Sequence, residues 1–171
     1  MAAEVTLVLG GARSGKSRYA EGLVTAQSRP WIYVATAEAW DDEMRTRIAC
    51  HRDDRGPGWT TVEEPLELPG ALRRHATPGA AVLVDCLTLW LSNLLGAGRD
   101  VDAATAELLS ALDDAAGAVV LVSNEVGLGI VPDNALARAF RDHAGRMHQR
   151  VAARAERVAF VVAGLPMMVK G

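Results

Sequence analysis

The stretch Leu7–Glu21, LVLGGARSGKSRYAE, decides the fold. An aliphatic run stops at the pair Gly10 and Gly11, and Gly15, Lys16 and Ser17 follow. Glycine, four residues, glycine, lysine and serine is the pattern of a phosphate-binding loop. Here it stands between a predicted strand and a predicted helix, the context that gives the pattern its meaning. Glycines let backbone N–H groups converge on phosphate oxygens, and the helix N-terminus adds its positive end. Lys16 reaches the outer phosphates and Ser17 ligates magnesium in such a loop. Gly10, Gly11, Ala12, Arg13, Ser14, Gly15, Lys16 and Ser17 are therefore the candidate cradle of a nucleoside triphosphate. A plain glycine-rich turn would account for the glycines but not for Lys16 and Ser17.

Outward from the loop, apolar runs alternate with helical patterns, which means α/β. The runs Val5–Leu9, Trp31–Ala35, Ala81–Val84, Val119–Val122 and Val158–Val162 are rich in valine with almost no polar alternation, as parallel strands covered on both faces require. Short strands are also expected at Thr60–Val62 and, on an edge, at Met167–Lys170. Helices are predicted over Lys16–Ala26, Asp42–Asp53, Leu66–His75, Leu87–Leu95, Ala103–Ala115 and Asn134–Ala155, the last opening after Pro132 and Asp133. Arg55–Pro69 holds Gly56, Pro57, Gly58, Pro65 and Pro69 and is the candidate mobile or substrate-facing loop.

A chain of 171 residues, half of them hydrophobic, can bury one core as a single domain over 1–171. A net charge of -3 with no basic excess argues against a nucleic-acid partner and for a small molecule. Cys50 and Cys86 stand far apart with no second cysteine near either, so no zinc knuckle or redox dithiol is written here. Acidic Glu4 replaces the basic start of a signal peptide, and no apolar run approaches the roughly 20 residues that cross a bilayer. A cytoplasmic protein is expected.

Asp85 ends the run AVLVD at the tip of a predicted strand, where P-loop enzymes place the acid that holds magnesium directly or through water. The bland alternative is a cap on the helix that begins near Leu87. VVLVS runs into NEVGLGIVP and brings Asn124 and Glu125 to the same sheet edge, where open α/β folds bind ligands. Glu125 either positions substrate or water, or is a solvated loop carboxylate. Met44, Ile48 and His51 share one helical face, so His51 reads as a packed histidine or as a nucleophile. An imidazole of pKa about 6.5 is largely neutral at pH 7, and Arg47, Arg52 and Arg55 stand close by to offset triphosphate charge. His75 lies at a predicted helix end; His143 and His148 are expected at the surface or a subunit contact. Arg146, Arg150 and Arg154 recur every four residues, as on a solvated face.

GGARSGKS, DDEMRTRIACHRDDRGPGW, VDCLTLWLSNLL, SNEVGLGIVPDNALARAFRDHAGRMHQRVA and VVAGLPMMVK resemble, in order and spacing over nearly the whole chain, the bifunctional adenosylcobinamide kinase and adenosylcobinamide-phosphate guanylyltransferase family of cobalamin synthesis. The resemblance implies a RecA-like P-loop fold, a mostly parallel sheet with helices on both faces, and a trimer. It implies two reactions on one corrinoid: phosphorylation of its aminopropanol hydroxyl by ATP or GTP, then transfer of GMP from GTP to that phosphate. By resemblance His51 is catalytic and carries GMP covalently. Glu63 and Asp85 join the loop in binding nucleotide, Ser17 and Asp85 hold Mg2+, and Arg47, Arg55, Asn124 and Glu125 position substrate. Some members have paired histidines where this chain has Cys50 and His51, and some have glutamate in place of Asp85. The alternatives from other classes are a monofunctional small-molecule P-loop kinase and a nucleotide-driven switch module.

Overall fold

The computed structural model describes residues 4–38 and 55–171. The predicted helix Asp42–Asp53, with Arg47, Cys50, His51 and Arg52, lies outside the described residues. Strands run over Val5–Gly10 (β1), Trp31–Ala35 (β2), Trp59–Glu63 (β3), Ala81–Asp85 (β4), Ala118–Asn124 (β5), Arg157–Val162 (β6) and Leu165–Lys170 (β7). Helices run over Lys16–Thr25 (α1), Leu68–His75 (α2), Leu87–Gly96 (α3), Val101–Asp114 (α4) and Ala135–Arg154 (α5). The sheet order is β3-β2-β4-β5-β1-β6-β7. All neighbours are parallel except β6 and β7, a hairpin that ends the sheet.

The valine runs become strands because both of their faces are covered. On one face Leu7, Val34, Val82, Val84, Val119 and Leu121 pack with Trp90, Leu108 and Met147 of α3, α4 and α5. On the other, Val8, Tyr33, Leu83, Val120 and Val122 pack with Ala20 and Val24 of α1. Successive residues alternate between the two cores, so shifting a strand by one residue would exchange its two buried sets. Trp90 is fully buried, and its indole N–H donates to the Leu66 carbonyl at 2.9 Å.

The expected strand at Thr60–Val62 is present and one residue longer at each end, so Arg55–Pro69 is not one loop. Glycine and proline bracket a β-prone pentapeptide, and Trp59 seals it against Trp31 and Tyr33 at ring separations of 5.9 and 6.1 Å. The irregular backbone shrinks to residues 55–58 and 64–67. The edge strand expected at Met167–Lys170 begins two residues earlier, at Leu165.

From β1 the chain leaves toward β2, whereas from β5 it crosses β1 to reach β6. Adjacent strands whose connections part in this way open a crevice at their carboxyl ends, and ligands bind there in open α/β sheets. The registered pair at that crevice is Gly10 and Asn124.

Candidate active site

Gly10 closes β1, and a side chain there would meet Ser14 Oγ at 2.5 Å and the Val161 carbonyl at 2.8 Å. Gly15 sits at φ 90°, in the left-handed region, with Gly164 Cα 3.1 Å from the place of its missing Cβ. Both glycines are thus dictated by close approach, and Gly15 also by backbone angle. The turn is held from within by Ser14 N–H to the Gly11 carbonyl at 3.3 Å, and from outside by Gly164 N–H to the Ser14 carbonyl at 2.7 Å. Ala12 and Arg13 are exposed at its crest. Lys16 is buried and its ammonium donates to the Gly11 carbonyl at 3.0 Å. Ser17 follows in the first turn of α1, whose N-cap is Gly15. Ser14 Oγ is buried with no hydrogen-bond partner among the described residues. A cavity of about 560 Å³ lined by Gly15, Arg18, Tyr19 and Gly164 opens beside the loop.

Asp85 ends β4 and is half-buried. It does not cap the next helix: Cys86 is the N-cap of α3, with no side-chain capping bond. Instead Tyr33 donates its hydroxyl to Asp85 Oδ2 at 2.9 Å. Burial, then the neighbouring carboxylate, push the phenol well above the usual tyrosine range, so it stays a donor. Arg55 lies over the other side of this tyrosine, its guanidinium carbon 3.4 Å from the ring centroid. Behind Asp85, Thr36 Oγ1 donates to the Cys86 carbonyl at 2.7 Å and accepts from Cys86 N–H at 2.8 Å. Cys86 is a free, buried thiol whose pKa burial raises.

Thr88 ties the β4 tip to the β5 tip. Its hydroxyl lies 3.2 Å from Cys86 Sγ and accepts from both the backbone and the side-chain nitrogen of Asn124, each at 3.1 Å. Glu125 N–H donates to the Gly10 carbonyl at 2.9 Å, so the segment after β5 is fastened to the phosphate loop. The Glu125 carboxylate accepts from Gly127 N–H. The structure therefore brings together Gly10–Ser17, Asp85, Asn124, Glu125 and Arg55 at one edge of the sheet. Glu63 shares that edge but stands on β3, four strand spacings from β1, about 19 Å away.

His148 is not a surface histidine. It is buried on α5 and shares a 2.7 Å hydrogen bond with Ser123 of β5; burial lowers its pKa, with Glu125 opposing. Ala144, Met147, His148 and Val151 are the buried stripe of α5, at i, i+3, i+4 and i+7. That spacing was the available signal; the arginines beside it obscured it. Those arginines are the polar face: Arg150 donates to the Asp102 carbonyl, and Arg154 pairs with Asp113 and Glu156. Tyr33, Thr36 and Thr88 are site residues that sequence reasoning missed. A single phenol in the aliphatic run WIYVA was the only trace of the first.

Two hard oxygen donors, the Ser17 hydroxyl and the Asp85 carboxylate, suit Mg2+, which takes one or two protein oxygens and completes its shell with phosphates and water. Among the described residues no cluster of three or more His, Cys, Asp or Glu side chains can hold a metal by itself. No described helix is long and apolar enough to cross a membrane.

Solved structures of low identity share the fold. The chain is similar to the RadB recombinase (16% identity, TM-score 0.54, covering 92% of this chain and 73% of that one). It is also similar to a Pyrococcus horikoshii OT3 protein (11%, TM-score 0.60, covering 98% and 86%). These likenesses show a RecA-like P-loop fold. At higher identity, the chain resembles the bifunctional adenosylcobalamin biosynthesis protein CobP of Pseudomonas aeruginosa, 52% over 167 residues and 96% of both chains. The bifunctional adenosylcobalamin biosynthesis protein CobU of Escherichia coli is 44% identical over 96% of this chain and 98% of its own. The family described as Cobinamide kinase / cobinamide phosphate guanyltransferase matches residues 6–169. With that match and these identities along nearly the whole chain, the protein belongs to the cobinamide kinase / cobinamide phosphate guanyltransferase family.

Proposed function

We propose that the crevice between Gly10 and Asn124 serves both activities of the family, phosphorylating adenosylcobinamide with ATP or GTP and then transferring GMP from GTP to the new phosphate. The observation that carries this is the hydrogen-bonded loop from Gly10 to Ser17, with Lys16 buried at its base and Asp85 and Asn124 across the crevice. Loop N–H groups and Lys16 bind the outer phosphates, where positioning and charge supply most of the catalysis of phosphoryl transfer. Ser17 and Asp85 hold Mg2+, which supplies charge neutralisation at the phosphates. Asn124, Glu125 and Arg55 position the acceptor and phosphates, and Glu63 contributes to the nucleotide site from the β3 edge.

For the second reaction His51 attacks the α-phosphorus of GTP. The bond to the pyrophosphate oxygen breaks, pyrophosphate leaves, and a phosphorus–nitrogen bond holds GMP until the corrinoid phosphate displaces the imidazole. Arg47 and Arg55 offset the charge of the phosphate chain. One domain carries both steps, in a cytoplasmic homotrimer by family resemblance, with no nucleic-acid partner.

The test is incubation of the purified chain with adenosylcobinamide, GTP and magnesium, with products resolved by mass. Sequential appearance of adenosylcobinamide phosphate and adenosylcobinamide-GDP is expected. Accumulation of the phosphate alone would reduce the protein to a kinase.

A further inference from the structure

A second cavity, of about 640 Å³, lies between the end of α3, the segment after β5 and the start of α5. Its size falls in the range of small-molecule sites, about 300–1,000 Å³. Its wall is mostly apolar, from Leu95, Val126, Leu136 and Phe140, with Ser92, Asn134 and Arg141 as polar groups. Leu136 is 72% exposed and Val126 38%. Apolar side chains gathered in an open concavity mark a surface that meets a ligand or partner.

One wall adjoins the nucleotide crevice: Val126 follows Glu125, and Glu125 is fastened to Gly10. The cavity also lies on the α3 and α5 side of the sheet, whereas the phosphate loop leads into α1 on the opposite side.

We propose that this cavity seats the corrin macrocycle of the phosphate acceptor, leaving its hydroxyl-bearing arm to reach past Glu125 to the phosphate loop. The proposal rests on the bifunctional activity given above. A broad macrocycle with apolar faces and an amide-bearing rim matches an apolar wall with a few polar groups better than a nucleotide does. Among the described residues the phosphate loop leads into α1, which packs on the opposite face of the sheet.

The test uses the full chain and cobinamide itself, followed by its visible absorption in equilibrium dialysis, with GTP affinity measured in parallel. Leu136→Asp and Phe140→Ala should each weaken cobinamide binding at least tenfold and raise its KM while leaving the Kd for GTP within twofold. Unchanged cobinamide binding in both folded variants would overturn the assignment. So would loss of binding that tracks a change in oligomeric mass, which would make the cavity a contact with a second copy. Failure of the unmutated chain to turn over cobinamide while still binding GTP would overturn the activity, and the subsite with it.

Discussion

The Tyr33 hydroxyl donates to Asp85 Oδ2 at 2.9 Å, across the neighbouring strands β2 and β4, while Arg55 covers the ring of the same tyrosine. One side chain thus orients the carboxylate proposed to hold magnesium and seats an arginine proposed to meet phosphate. Tyr33→Phe removes the hydroxyl and keeps the ring. It should cost about 1 kcal/mol of stability and raise the magnesium concentration needed for half-maximal kinase activity. Asp85→Asn, which removes the charge itself, should raise it further. A magnesium titration unchanged in Tyr33→Phe would show that the hydrogen bond has no part in orienting Asp85.

Lys16→Ala removes the buried ammonium and leaves the loop backbone intact. Phosphoryl transfer should fall by roughly 100-fold or more, the scale on which loss of one preorganised charge-stabilising donor is felt, while cooperative melting persists. Near-normal turnover in the folded variant would contradict the placement of nucleotide in this loop.

His148 is held neutral by burial beside Ser123, so its folded pKa lies below its unfolded value, and the unfolded chain takes up its proton first. The contribution is complete above the unfolded pKa of about 6.5 and is lost as pH falls from there through the lowered folded value. His148→Gln keeps a polar reach toward Ser123 without titrating. Melting followed between about pH 7.5 and about pH 5.5 should show a smaller loss of stability in the variant than in the unmutated chain. Equal losses would mean that His148 charges freely in the fold.

The sheet was legible because its strands are short valine-rich runs bounded by glycine and proline, and the phosphate loop was legible because its glycines, Lys16 and Ser17 are contiguous. Asp85, Asn124 and Glu125 could be assigned to one edge because parallel strands all end on the same side. Contacts across that edge could not be read. Tyr33 and Asp85 are 52 positions apart and meet only because β2 lies beside β4. Asn124 and Thr88, 36 apart, meet because β4 lies beside β5. His148 was misplaced because its helix carries arginines at one period and a buried stripe at nearly the same period, one face apart.

The most direct measurement is covalent labelling. The purified chain is incubated with α-labelled GTP and magnesium, denatured, and counted. Label should remain on the protein, be released by acid and survive alkali, as a phosphorus–nitrogen bond does, and His51→Ala should carry none. An unlabelled wild-type chain, or equal labelling of His51→Ala, would contradict a guanylyl-histidine at this position.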